Sequence, residues 1–155
     1  MPAPRLASAT GVLISVYSIA AVLSATVLGR ASRRVEPRRL LAASLLGGAA
    51  TVAPMAVVSS FPAFLALAVL LGLASGGALT LCYTMGGLMV PPDVKTTAFG
   101  FFSGAALFGG ALSPSVAGLI AHWSLFGIYW TDAALFAVLA ALLLESPRPD
   151  KAPDG

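Results

Sequence analysis

The chain has 155 residues, of which 58% are hydrophobic and only 10% charged, with a formal net charge of +3 and a mean hydropathy of +0.93. A soluble domain of this size carries nearer a quarter charged residues and cannot hide so much apolar surface in one core. The composition therefore excludes a soluble globular enzyme and makes bilayer hydrocarbon the expected solvent.

The first ten residues hold only Arg5 and two prolines, with no charged n-region leading into a short apolar core and cleavage site. Five apolar stretches follow, each near the ~20 residues that cross ~30 Å of hydrocarbon at ~1.5 Å per residue. They run over about 11–28, 40–58, 64–90, 98–121 and 125–144. The expected architecture is an all-α integral membrane protein of about five transmembrane helices, with a membrane domain over 1–145 and a disordered cytoplasmic tail over 146–155. Pro62 and the Pro91-Pro92 pair set boundaries, since proline cannot continue a helix. Pro147, Pro149 and Pro153, set among charges, give the tail its disordered composition.

Lysine and arginine mark the cytoplasmic side of a membrane protein. Arg30, Arg33, Arg34, Arg38 and Arg39 lie between the first two spans, Lys95 lies between the third and fourth, and Arg148 and Lys151 follow the fifth. Only Arg5 falls on the opposite side. This distribution places the N-terminus outside and the C-terminus in the cytoplasm of a plasma (inner) membrane. It also makes the positive charge a matter of topology, so no nucleic-acid partner is expected. Trp123, Tyr129 and Trp130 suit an aromatic belt at the outer surface.

Within the spans, small residues repeat at helical spacing. Gly72 and Gly76 share a face of the third span, and Ala106, Gly110, Pro114 and Gly118 form a ridge on the fourth. Such faces let helix backbones approach closely in lipid, and Pro114 frees a backbone carbonyl as a hinge would. Asp132 is the one acid inside a span, which makes it a candidate proton carrier. Its neighbours Tyr129 and Trp130 equally suit an acid reaching the hydrated interface. The second span offers only Ser44, Thr51 and Pro54 amid Leu, Ala and Val, as a lipid-facing helix does. Cys82 stands alone, so no disulfide framework is expected. No metal-ligand cluster, nucleophile–base pair or phosphate loop is present, so neither cofactor, metal nor enzymatic chemistry is expected.

The segment from Gly29 to Leu40 resembles the cytoplasmic signature loop of the major facilitator superfamily. Gly29, Arg34, Arg38 and Arg39 match that pattern, whereas Arg33 stands where the family has an aspartate and Glu36 where it has a glycine. In the family this loop latches the two halves of the transporter through a charge relay; five arginines alone would also serve as a stop-transfer anchor. The glycine–proline fourth span resembles the helix that rocks in the fifth position of a facilitator half. The third span resembles the fourth helix of a half, without its usual arginine. The order of these parts resembles helices eight to twelve of a twelve-helix facilitator, a partial half-bundle.

That resemblance implies a truncated C-terminal half whose partners are the missing N-terminal helices or half, the bilayer and a small-molecule substrate. It makes the first, third and fourth spans cavity-lining, with Tyr17, Thr80, Tyr83, Thr84, Phe102 and Ser103 as substrate contacts. The implied activity is alternating-access transport, as proton-coupled efflux of a small, partly apolar molecule. A second reading is a small stand-alone membrane protein that acts as a helix-packing subunit or regulator.

Overall fold

A computed structural model describes residues 3–146, with side chains from Ser8 onward; Arg5, Arg148, Lys151 and the expected disordered tail beyond Ser146 lie outside the described side chains. The described residues form five helices: α1 (Ala3–Ala31), α2 (Pro37–Met55), α3 (Phe61–Met89), α4 (Lys95–Trp123) and α5 (Leu125–Glu145). A single 3-10 turn, Pro92–Val94, leads into α4, and no strand occurs among the described residues.

Local chemistry sets the ends. Pro37 opens α2 and Pro62 lies in the first turn of α3, where a missing N–H costs nothing and the fixed φ is already helical. α2 stops at Met55 because Pro54 is followed by tight bonds, from Ala56 N–H to the Ala53 carbonyl at 3.3 Å and from Val57 N–H to the Pro54 carbonyl at 3.1 Å. Ser124 alone joins α4 to α5 and caps both. Its N–H donates to the Ile120 carbonyl at 2.9 Å, and its Oγ accepts from the Gly127 N–H at 3.2 Å.

Four helices, α1, α3, α4 and α5, are long and apolar enough to cross a membrane. α2 is the exception, because its first turn holds Pro37, Arg38 and Arg39. Its apolar run from Leu40 to Met55 reaches only ~24 Å at 1.5 Å per residue.

α3 is the hub, with α1 packed along one face and α2 along another, and α2 in turn packs against α5. The core lies where α2, α3 and α5 meet: Leu41, Leu45, Ala78, Leu81 and Ala140 are buried, with Met85, Phe136 and Leu143 packed on them. α2 is thus not a lipid-facing helix on every side. It carries the largest set of buried residues of any helix here, Leu41, Ala42, Ser44, Leu45, Gly48, Val52 and Met55. Gly48 explains why, since a Cβ there would stand 2.9 Å from the Phe136 ring of α5; the glycine hollow seats the ring.

The α1–α3 contact is closer still. A Cβ on Gly72 would meet the Tyr17 carbonyl and Ala20, and one on Gly76 would meet the Ala21 backbone. Small residues on both helices give the near-backbone contact that substitutes in lipid for hydrophobic sorting. Ser24, buried beside this seam, donates to the Leu73 carbonyl. α4, by contrast, has no buried residue among those described and packs mainly against α5, α3 and the turn before it.

Candidate functional site

Three clusters carry the chemistry of the chain. The first is an aromatic corner between the end of α3 and the start of α4. Tyr83 stacks on Phe99 with ring centroids 6.0 Å apart and meets Phe102 edge-on at 6.3 Å. Phe99 and Phe102 complete the triangle at 6.1 Å. Such offset and edge-to-face pairs use the ring quadrupoles favourably. Gly86 and Gly87 make the seats, for a Cβ on Gly86 would overlap the Phe102 ring and one on Gly87 would stand 2.9 Å from the Phe99 ring. The Tyr83 hydroxyl lies 3.3 Å from the Ser103 hydroxyl. A groove of about 180 Å³ opens beside the rings, lined by Leu79, Cys82, Tyr83, Phe102, Ala105 and Ala106.

Of the six expected substrate contacts, this corner gathers Tyr83, Phe102 and Ser103. Tyr17 lies elsewhere, its hydroxyl 2.8 Å from the Ser75 hydroxyl across the α1–α3 seam. Thr80 and Thr84 donate to carbonyls of their own helix, those of Gly76 at 3.1 Å and Thr80 at 2.9 Å. The Thr80 methyl faces Gly29, so it belongs to the seam with α1. Phe99, Gly86 and Gly87 carry the corner without any polar marker in the sequence. Their only early signal is the Gly-Gly pair four to five residues before Pro91 and the aromatic pair at i, i+3 on α4.

The second cluster is a groove of about 300 Å³ between α4 and α5, and Asp132 lies on it. Its walls are Leu112, Val116 and Ile120 of α4 with Ile128 and Leu135 of α5, and Ser113 and Thr131 are the other polar side chains. The ridge of Gly110, Pro114 and Gly118 points away from this groove, and a Cβ on Gly110 or Gly118 would meet nothing within 4 Å. Pro114 lies inside an unbroken α4, where its missing N–H leaves the Gly110 carbonyl unbonded.

The third cluster is the arginine loop. Arg38 reaches across to the end of α5, its Nε 3.0 Å and its Nη2 2.5 Å from the Leu143 carbonyl, with Nη2 also 3.1 Å from that of Leu144. The same nitrogen donates to the Ser146 carbonyl. The guanidinium thus satisfies carbonyls that a helix end leaves without partners, at the negative end of the α5 dipole. Arg39 pairs with Glu36 at 3.1 Å, so the residue replacing the family glycine neutralises one arginine. Arg33 and Arg34 are exposed. No group of three or more His, Cys, Asp or Glu side chains stands together to hold a metal among the described residues.

Helices of this length and apolarity, with broad apolar surface left outside the core, define a multi-pass integral membrane protein. The chain is matched from residue 6 to residue 155 by the model of the Major Facilitator Superfamily, and it belongs to that superfamily. It is 30% identical over 150 residues to the multidrug resistance protein MdtG of Erwinia billingiae, a match covering 95% of this chain and 36% of that protein.

Proposed function

We propose that this chain is a segment of a secondary active transporter that moves a small, partly apolar molecule by alternating access, as proton-coupled efflux. The observation that carries this reading is the family match along nearly the whole chain, to which a relative named for multidrug resistance gives direction. The α3–α4 corner supports it physically, because rings with one hydroxyl pair suit a ligand that needs few directional contacts. Asp132 is the carboxylate we assign to proton coupling, because it lies on the groove between α4 and α5. The chain sits in the plasma (inner) membrane with its N-terminus outside and its C-terminus in the cytoplasm, following the arginine distribution.

The test is dye accumulation in a pump-deficient bacterium expressing the chain, with and without a protonophore. Lowered accumulation of an apolar dye, restored by the protonophore, is the expected result. Lowered accumulation that the protonophore leaves untouched would remove the proton. The open glycine face of α4 favours a second reading, a helix-packing subunit or regulator. A stable complex of defined stoichiometry from membranes, without any change in dye accumulation, would select that one.

A further inference from the structure

We propose that the groove between α1 and α2 binds an anionic phospholipid, with an acyl chain along Leu23, Val27 and Leu40 and its phosphate on Arg30, Arg33 and Arg34.

The groove follows from how the helices pack. α1 and α2 both lie against α3 and scarcely meet each other, so α3 shows between them. The result is a trench of about 430 Å³. Small residues sink its floor: Ser24 and Ser44 are buried, and a Cβ on Gly47 would stand 3.7 Å from the Ala74 methyl. The Ser24 hydroxyl already donates to the Leu73 carbonyl, so it leaves the floor without a free donor there. Leu23, Val27 and Leu28 of α1 form one wall, and Leu40 and Ala43 of α2 form the other. Leu23 and Val27 are exposed, which opens the trench sideways to lipid. From Leu23 to Arg30 it runs ~10 Å along the α1 axis.

Positive charge gathers at one end. Arg30 continues the stripe of Leu23 and Val27 on the same face of α1. The backbone keeps turning beyond α1, with the Arg33 N–H 3.2 Å from the Arg30 carbonyl and the Arg34 N–H 2.9 Å from that of Ala31. Arg33 and Arg34 therefore stay over the end of that stripe, and all three arginines are exposed. The other two arginines of the loop are engaged, Arg38 by the α5 carbonyls and Arg39 by Glu36. Glu36 is the one acid between α1 and α2. Three guanidiniums are thus left without a counter-charge among the described residues.

A hydrocarbon trench with cations at its mouth selects a molecule with an apolar tail and an anionic head. Guanidinium forks match phosphate oxygens in pairs, and basic clusters at the ends of spanning helices recruit anionic headgroups. A free phosphate would use the arginines and leave the trench unfilled, so the phospholipid is the occupant that fits both parts.

This site requires the chain to lie in a bilayer and is independent of transport. The experiment is native mass spectrometry of the whole chain, released from micelles holding phosphatidylglycerol and phosphatidylcholine with identical acyl chains. Retention of one phosphatidylglycerol, favoured about tenfold or more over phosphatidylcholine, is expected. Replacing Arg30, Arg33 and Arg34 together with Gln should abolish the preference. Ala43→Trp keeps every arginine and fills the trench, and it should abolish retention as well. Leu46→Trp, at an exposed position of α2 outside the trench, should retain the lipid as before. Equal retention of the two lipids overturns the proposal, as does an unchanged preference in the triple variant or in Ala43→Trp chains of normal helical content. An equal loss in Leu46→Trp, or displacement of the lipid by soluble glycerol phosphate, overturns it too. Intact, trench-dependent retention alongside absent efflux would refute transport and leave the site standing.

Discussion

Arg38 shows how much one side chain can hold. A guanidinium brings a planar fork of donors, and here the fork collects carbonyls from Leu143, Leu144 and Ser146 at once. Bonds from a charged donor to a helix C-terminus contribute about 1–2 kcal/mol in partly buried settings. Arg38→Gln should therefore lower the midpoint of detergent-induced unfolding by that order, with Arg38→Lys recovering part of the loss as a single point charge. Arg34→Gln, at an exposed position of the same loop, should leave the midpoint where it was. Equal losses in Arg34→Gln and Arg38→Gln would mean that net loop charge, not the clamp, is what matters. Tyr83→Phe removes only the 3.3 Å hydroxyl contact with Ser103 and should change stability by less than about 1 kcal/mol. Gly86→Val, which displaces the Phe102 ring from its seat, should cost about 1–3 kcal/mol by overpacking. The same unfolding titration checks both.

Among the elements, α1 and α3 form the tightest seam and α4 the loosest attachment. Gly76→Leu puts a branched side chain where the Ala21 backbone now lies and should part the two helices. Cross-linking by a short bifunctional reagent between cysteines placed at Tyr17 and Ser75, whose hydroxyls lie 2.8 Å apart across the seam, should fall steeply in that variant. Gly110→Leu on α4 points into open space and should leave the isolated chain's stability unchanged. If Gly110→Leu instead destabilises the chain, another surface covers α4 in the membrane. The helices and the Gly72–Gly76 seam were legible in the sequence, because proline positions and a four-residue glycine spacing report on backbone geometry directly. The packing of α2 was not. A helix apolar on all sides has no amphipathic face to say which way it points, and Gly48 gains meaning only once Phe136, far along the chain, is brought against it. The aromatic corner was half legible: Tyr83, Phe102 and Ser103 were marked by type, whereas Phe99 and its glycine seat depend on the register of α4 against α3. Arg38 was singled out as part of a latch loop, yet its hold on α5 depends on a contact 105 positions away.

For the molecule as a whole, the exposed leucines, valines and phenylalanines spread over α1, α4 and α5 are surface that water would not tolerate and lipid does. If all five helices cross, reporters fused at Pro4, Arg34, Ser60, Asp93 and the tail should read outside, inside, outside, inside and inside. α2 is the sensitive step, because its apolar run is short and its arginines sit at the membrane boundary. A Ser60 reporter found inside would show α2 failing to cross, which would leave four spans and reverse the assigned side of α3. The chain matches 36% of the length of the MdtG relative, so these experiments define a membrane segment whose transport activity is a separate measurement.

The pairing of α2 with α5 also sets a timetable for synthesis. Arg38 and its carbonyl partner at Leu143 are 105 positions apart, and the Gly48 hollow waits almost as long for Phe136. At ~5–20 residues per second the ribosome leaves roughly 5–20 s in which α2 is inserted but unclasped, its guanidinium without a helix end and its hollow empty. Quality-control proteases that read exposed polar groups in a membrane have that interval in which to act. Slowing translation downstream of α2, with no change to the protein itself, should lower the yield of the folded chain.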